Sequence, residues 1–215
     1  MVNARQIAFA LAGALLISAP AFPQAVLLFD NGPDSYDYGR EMTMWTQADD
    51  FEVPFSTTAT RVELSVGDYC VFPANWDHHL RWWIHEDSGG LPGPVVATGF
   101  APEVWYTLDV DNCPTVAWWD VWFPLGQMVD LTVGVRYWLA IHMAADWSIR
   151  DDISWADTSL GHFSDSAEQM GGTGPWTPHD GEDFSFMISA VSDDTYLFVD
   201  EFASGDASIW SDIVP

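Results

Sequence analysis

The sequence predicts an all-β protein, an antiparallel two-sheet sandwich of jelly-roll type. Three observations carry this. The segment Thr60 to Val66 alternates strictly, with Val62, Leu64 and Val66 on one side and Arg61, Glu63 and Ser65 on the other, the period of a strand with one buried face. Turn-forming Gly, Pro, Asn and Asp recur at short intervals, and no segment sustains a 3.6-residue period. Hydrophobic residues make up 48% of the chain and aromatics 15%, enough for a packed core rather than a disordered chain, and large aromatics suit the half-buried surface of a sheet.

Taken in order, residues 1–21 read as a targeting segment. Arg5 supplies the positive start, Ile7 to Ile17 the apolar run, and Ala19-Pro20-Ala21 the small residues for cleavage after Ala21. The run is shorter than the ~20 residues a helical span needs, and no later segment is apolar and long enough to cross a bilayer, so no integral membrane span is expected in the mature chain. Residues 22–191 make up the sandwich domain. Val26 to Asp30 opens it, and Asp30 to Tyr38 reads as a turn-rich loop. Met44 to Val53 is a strand, Pro54 to Thr58 a turn, and Thr60 to Val66 the alternating strand already described. His78 to His85 alternates again, with Leu80, Trp82 and Ile84 on one face and Arg81, Trp83 and His85 on the other. Asp87 to Pro94 is too dense in turn formers for a ladder, and Val95 to Thr98 resumes strand chemistry. Trp105 to Val110, Val116 to Phe123, Met128 to Val133, Arg136 to Met143, Ile153 to Ala156 and Phe184 to Val191 complete about ten strands. Gly161 to Asp183 reads as one long polar loop, a length usually reserved for function or mobility. Residues 192–215 form a tail.

Several of these pieces together resemble secreted bacterial β-sandwich proteins of the PEP-CTERM-associated type. They are Phe29-Asp30-Asn31-Gly32-Pro33-Asp34, Gln47-Ala48-Asp49-Asp50-Phe51, the strand, S-G-G-L-P-G and strand unit from His78 to Phe100, Tyr137 to His142, and Gly161 to Phe186 with Gly171-Gly172 and Pro175-Trp176. The likeness spans most of residues 26–191 and implies a secreted sandwich, but no reaction. The stretch from Phe202 to Ser211, F-x-S-G-D-x-S-x-W-S, resembles an ending recurrent in secreted bacterial proteins, which implies a sorting or attachment segment. It lacks the Pro-Glu-Pro, apolar span and basic cluster of the PEP-CTERM anchor.

Charge bounds the partners. There are 32 acidic residues against 6 basic ones, all Arg, and loss of Arg5 takes the formal net charge from −26 to −27. Such a chain repels nucleic-acid phosphate and anionic lipid, so no nucleic-acid partner is expected. It attracts cations, and calcium wants six to eight oxygen donors. Two loops have that composition: Asp30, Asn31 and Asp34 in the first, and Asp180, Glu182 and Asp183 in the second. Neither has EF-hand spacing, and because the acids are scattered along the chain, general solubility in a salty medium explains them better than specific calcium sites do, with solvated turn acids the default reading of the two loops. An exported chain with two Cys should pair them, so a Cys70–Cys113 disulfide is expected.

No catalytic motif survives inspection. Asp87-Ser88-Gly89-Gly90 is similar to the trypsin-type nucleophile stretch, but Glu86 stands where that motif has Gly, and no Ala-Ala-His-Cys segment exists. His78 and His79 are adjacent on a predicted strand and point apart, His85 and His142 fall on outward positions, and no H-x-H or H-E-x-x-H spacing occurs. Nothing pairs two Glu across a cleft as glycoside hydrolysis requires. The remaining feature is aromatic. If Trp119, Val121 and Phe123 face the core, then Trp118, Asp120 and Trp122 face outward together, and Trp83 and Trp138 are outward by the same parity. Exposed Trp beside polar groups suits stacking of pyranose rings; a covering loop such as Gly161 to Asp183 would bury them instead. The sequence therefore predicts a secreted or cell-surface, non-catalytic module with a structural, adhesive or binding role toward cell-surface components. The alternative is a carbohydrate-binding module for extracellular polysaccharide that uses Trp118, Asp120, Trp122 and Trp83. An extracellular hydrolase comes third.

Overall fold

A computed structural model describes residues 25–148, 150–161 and 163–191. The expected targeting segment 1–21 and tail 192–215 lie outside the described residues. Fourteen strands occur among those described: β1 (Ala25–Asp30), β2 (Asp34–Glu41), β3 (Trp45–Glu52), β4 (Thr57–Asp68), β5 (Arg81–Asp87), β6 (Pro92–Phe100), β7 (Trp105–Asn112), β8 (Val116–Leu131), β9 (Arg136–His142), β10 (Ile153–Thr158), β11 (Ala167–Met170), β12 (Thr177–Pro178), β13 (Asp183–Phe184) and β14 (Phe186–Val191). They form two antiparallel sheets packed face to face, the sandwich the sequence predicts. No described helix is long and apolar enough to cross a membrane.

The eight-stranded sheet is built on β4. One edge of β4 pairs with β8 along its length, and the other pairs with β14 and then β10. β7 extends the sheet beyond β8, β1 beyond β14, and β2 and β13 both pair with β10. The six-stranded sheet runs β12-β11-β3-β9-β5-β6. The alternation that predicted β4 is what buries it: Val62, Leu64 and Val66 enter the core, against Val121 and Phe123 of β8 and Phe186 and Ile188 of β14. From the other sheet come Phe51, Trp82, Ile84, Leu139 and Ile141. Trp82 and Trp155 have no exposed surface, and truncating side chains of that size typically costs 3–5 kcal/mol. Cys70 and Cys113 are joined as expected, with Cα atoms 5.8 Å apart.

Four sequence expectations need correction. Asp34–Glu41 is a strand rather than a loop, because β10 offers it a free edge and Ser154, Trp155 and Ala156 register against Glu41, Arg40 and Gly39. Val116 to Phe123 and Met128 to Val133 are one strand, β8, whose register against β4 slips between Ala59 and Arg61, with Gly126 at φ 71°. The strand expected from His78 begins only at Arg81, since His78 holds φ 63°, outside strand geometry. Gly161 to Asp183 is not a bare loop. It contributes β11, β12 and the start of β13, and β11 pairs with β3 to extend the smaller sheet.

Candidate functional site

That last addition decides which outer sheet face is open. β11 brings Ala167 opposite Ala48, and together with Leu91 and Trp176 these residues close over Trp138, which is fully buried although outward by parity. The Trp138 indole N–H donates to Asp87 at 3.0 Å. Asp87 also accepts the backbone N–H of Gly89 and Gly90, so the stretch that resembles a nucleophile motif is a turn tied to a buried tryptophan. Trp83 is half-buried beneath Arg81, whose guanidinium lies 4.7 Å from its ring. His85 and His142 are buried on outward positions too; their rings meet the carbonyls of Gly93 and Thr43, and burial pushes both pKa values down. The outer face of the six-stranded sheet is thus largely covered. Trp83 sits on it and cannot extend a platform on the other sheet.

The outer face of the eight-stranded sheet is different. Parity on β8 holds: Trp118, Asp120 and Trp122 share this face. Their exposures diverge. Trp118 is only 5% exposed, which corrects its expected role as an open platform. It lies across Gly67, its cross-strand partner, where a Cβ would come 2.7 Å from the ring, and the Tyr36 ring meets it edge-on at 5.9 Å. Asp120 is exposed and Trp122 half-buried. Beside Trp122 on β7 stands Trp105, 43% exposed. Arg61 on β4 holds its guanidinium 5.9 Å from the Trp122 ring and pairs with Glu63 at 3.0 Å. The result is a two-tryptophan surface at the β7–β8 pair, flanked by one cation.

Below it runs a groove of about 420 Å³ whose polar lining includes Asp30, Asp34, Tyr36, Glu63, Asp109 and Asp120. A shift in the β7–β8 register between Leu108 and Val110 sets Asp109 out of the ladder, as bulged residues are. Its carboxylate accepts the Tyr36 hydroxyl at 2.6 Å. That bond holds the phenol pKa well above its ordinary value. Tyr36 has φ 56°, uncommon for an aromatic residue. Ser65 donates its hydroxyl to Asp34. Burial raises the Asp34 and Asp120 carboxyls above the usual range, and Asp109 raises both further. Trp105, Tyr36, Glu63 and Asp109 were not singled out from the sequence. Parity would have placed Trp105 with Thr107, but only the β7–β8 pairing brings it beside Trp122.

The six acidic-loop residues do not form one site. Asp30 and Asp34 line this groove, and Asp30 also accepts the Gly32 N–H as in an ordinary turn. Asp180 is exposed. Glu182 is engaged by Arg40 through two bonds of 2.6 Å. Asn31 is buried elsewhere and donates to Asp49 and to the Phe184 carbonyl. Asp183 lies near Asp49 and Asp50, and its charge raises the pKa of both. Among the described residues, no group of three or more His, Cys, Asp or Glu is arranged to hold a metal ion. What the first and last acidic loops do share is Asp49. It has no exposed surface, and burial holds its carboxyl well above the usual range. Through Asn31 and the Phe184 N–H it ties the domain's opening and closing segments to β3.

The chain matches no protein-family model and no curated relative.

Proposed function

We propose that the protein is a secreted, non-catalytic β-sandwich module that binds extracellular polysaccharide on the outer face of its eight-stranded sheet. The observation that carries this is the pairing of Trp105 with Trp122 beside the groove lined by Asp34, Glu63, Asp109 and Asp120. A pyranose ring has an apolar C–H face and a rim of hydroxyls. Indole rings stack on the first, and ionised carboxylates, which only accept hydrogen bonds, receive them from the hydroxyls of the second. Exposed large aromatics next to convergent polar groups are the usual mark of such a surface. The acidic lining favours a neutral glycan, since uronate or sulfate groups would meet like charge.

A glycan array with the mature chain tests this. Binding to neutral polysaccharides that is lost in Trp105→Ala and in Trp122→Ala, both still folded, is the expected outcome. Absence of binding to any immobilised glycan would leave the structural or adhesive role as the better reading. Release of new reducing ends from a bound polysaccharide would replace binding by hydrolysis.

A further inference from the structure

A second cavity opens on the same sheet face. It has a volume of about 340 Å³ and is lined by Asp37 and Gly39 of β2, Gly67 and Asp68 of β4, Trp118 of β8 and Ser154 of β10. The groove described above takes Tyr36 from β2, Ser65 from β4 and Asp120 from β8. Ser65 pairs with Asp120, and Gly67 with Trp118. On β4 and β8 the lining therefore passes from groove to cavity at the next outward position, and on β2 it passes from Tyr36 to Asp37. The two spaces lie end to end along the strands. From Glu63 in the groove to Asp68 in the cavity is about 17 Å of extended chain, a span that takes several pyranose rings to cover.

One aromatic pair stands between them. Tyr36 lines the groove, Trp118 lines the cavity, and their rings meet edge-on at 5.9 Å. Trp118 is buried, whereas Tyr36 is exposed. The Tyr36 backbone belongs to β2 and its hydroxyl is fixed to Asp109 on β7, so the phenol is held at the boundary from both ends. The far cavity repeats the chemistry of the groove. Asp37 contributes an exposed carboxylate, Ser154 a hydroxyl, and the exposed Tyr69 an aromatic face.

We infer that a bound glycan occupies both spaces at once, as an extended linear chain that crosses the Tyr36–Trp118 pair. This rests on the glycan-binding reading above and goes beyond it by adding a second subsite, with Tyr69 and Asp37 as its contacts, and a length requirement. Trp105 and Trp122 hold one end of the chain. At the other end the Tyr69 ring stacks on a sugar face and the Asp37 carboxylate accepts hydroxyl hydrogen bonds. A short oligomer reaches only one space. A longer one makes its second contact within the same molecule, at the high effective concentration that linkage confers. Both linings are acidic, which keeps the preference for an uncharged chain.

The test is isothermal titration calorimetry on the mature chain with the disaccharide and the hexasaccharide derived from each of four linear neutral polymers: cellulose, laminarin, mannan and xylan. For a polymer that binds, the hexasaccharide is expected to bind at least about tenfold tighter than the disaccharide. Tyr69→Ala, and to a lesser degree Asp37→Ala, should remove that gain and leave the disaccharide affinity unchanged, since both positions are exposed and lie outside the groove. Equal affinity for the two lengths in wild type would overturn the inference, as would a gain that survives intact in both variants; either result leaves binding at Trp105 and Trp122 standing. Binding of neither length from any of the four polymers would overturn the inference and the glycan-binding reading together.

Discussion

Asp50 offers the sharpest quantitative test of the packing. Its carboxylate is 1% exposed, accepts the Ser164 N–H at 3.1 Å, and has Arg136 at 3.6 Å. Burial outweighs these contacts and raises its pKa from 3.8 to about 6. The folded state therefore holds the proton more tightly than the unfolded chain does. The neutral carboxyl adds nothing below about pH 4. Folding is progressively disfavoured as pH rises from there to about 6, and the penalty is constant above. A displacement of about two pKa units corresponds to roughly 3 kcal/mol. For a domain of this size that is roughly 6–12 °C in melting temperature. Asp50→Asn keeps an acceptor for Ser164 and removes the titration. Thermal melts by circular dichroism at half-unit intervals from pH 4 to 7 should show wild type losing stability relative to Asp50→Asn across this window. The Arg40-paired Glu182 acts with opposite sign at lower pH and is common to both proteins. Parallel pH profiles would refute the assignment of the shift to Asp50.

Three further outcomes follow from the same geometry. Thiol titration of the denatured, unreduced protein should find no reactive thiol, and Cys70→Ser with Cys113→Ser should cost about 4 kcal/mol in chemical denaturation, the chain-entropy value for a closed loop of 43 residues. Gly67→Ala should cost roughly 1–3 kcal/mol by overpacking against Trp118 and shift the near-ultraviolet tryptophan signal, whereas Gly181→Ala, with open space around it, should leave that signal alone even though its φ of 74° makes alanine unfavourable there. Calcium should raise the melting temperature no more than sodium chloride at matched ionic strength, because the acidic-loop residues are dispersed; a calcium-specific rise would show that they reassemble around the ion.

Much of the fold is legible in local patterning. β4, β9 and the inner half of β8 each bury one face against the opposite sheet, so alternation reveals them. β2 and β11 are not legible this way. They owe their existence to free edges on β10 and β3, and a partner's edge leaves no mark in the recipient's own sequence. The same limit applies to the site. Period-two alternation correctly puts Trp118 with Trp122, and Trp138 outward. Whether an outward tryptophan is open depends on what crosses it: Tyr36 and Gly67 enclose Trp118, and β11 closes over Trp138. Asp49 and Asp50 look like a surface pair in sequence. They are buried because β3 lies inside its sheet, between β9 and β11.

The claim that the β7–β8 tryptophans bind glycan is tested most directly by measuring retention and stability on the same variants. In native gels containing a neutral polysaccharide that the array identifies, wild type should be retarded. Trp122→Ala and Trp105→Ala should migrate as in gels without polysaccharide, while their melting temperatures stay near wild type, since neither side chain is enclosed in the core. Trp118→Ala should instead melt well below wild type, as loss of a buried tryptophan does. Retardation that survives both exposed-tryptophan substitutions, in folded protein, would contradict the account.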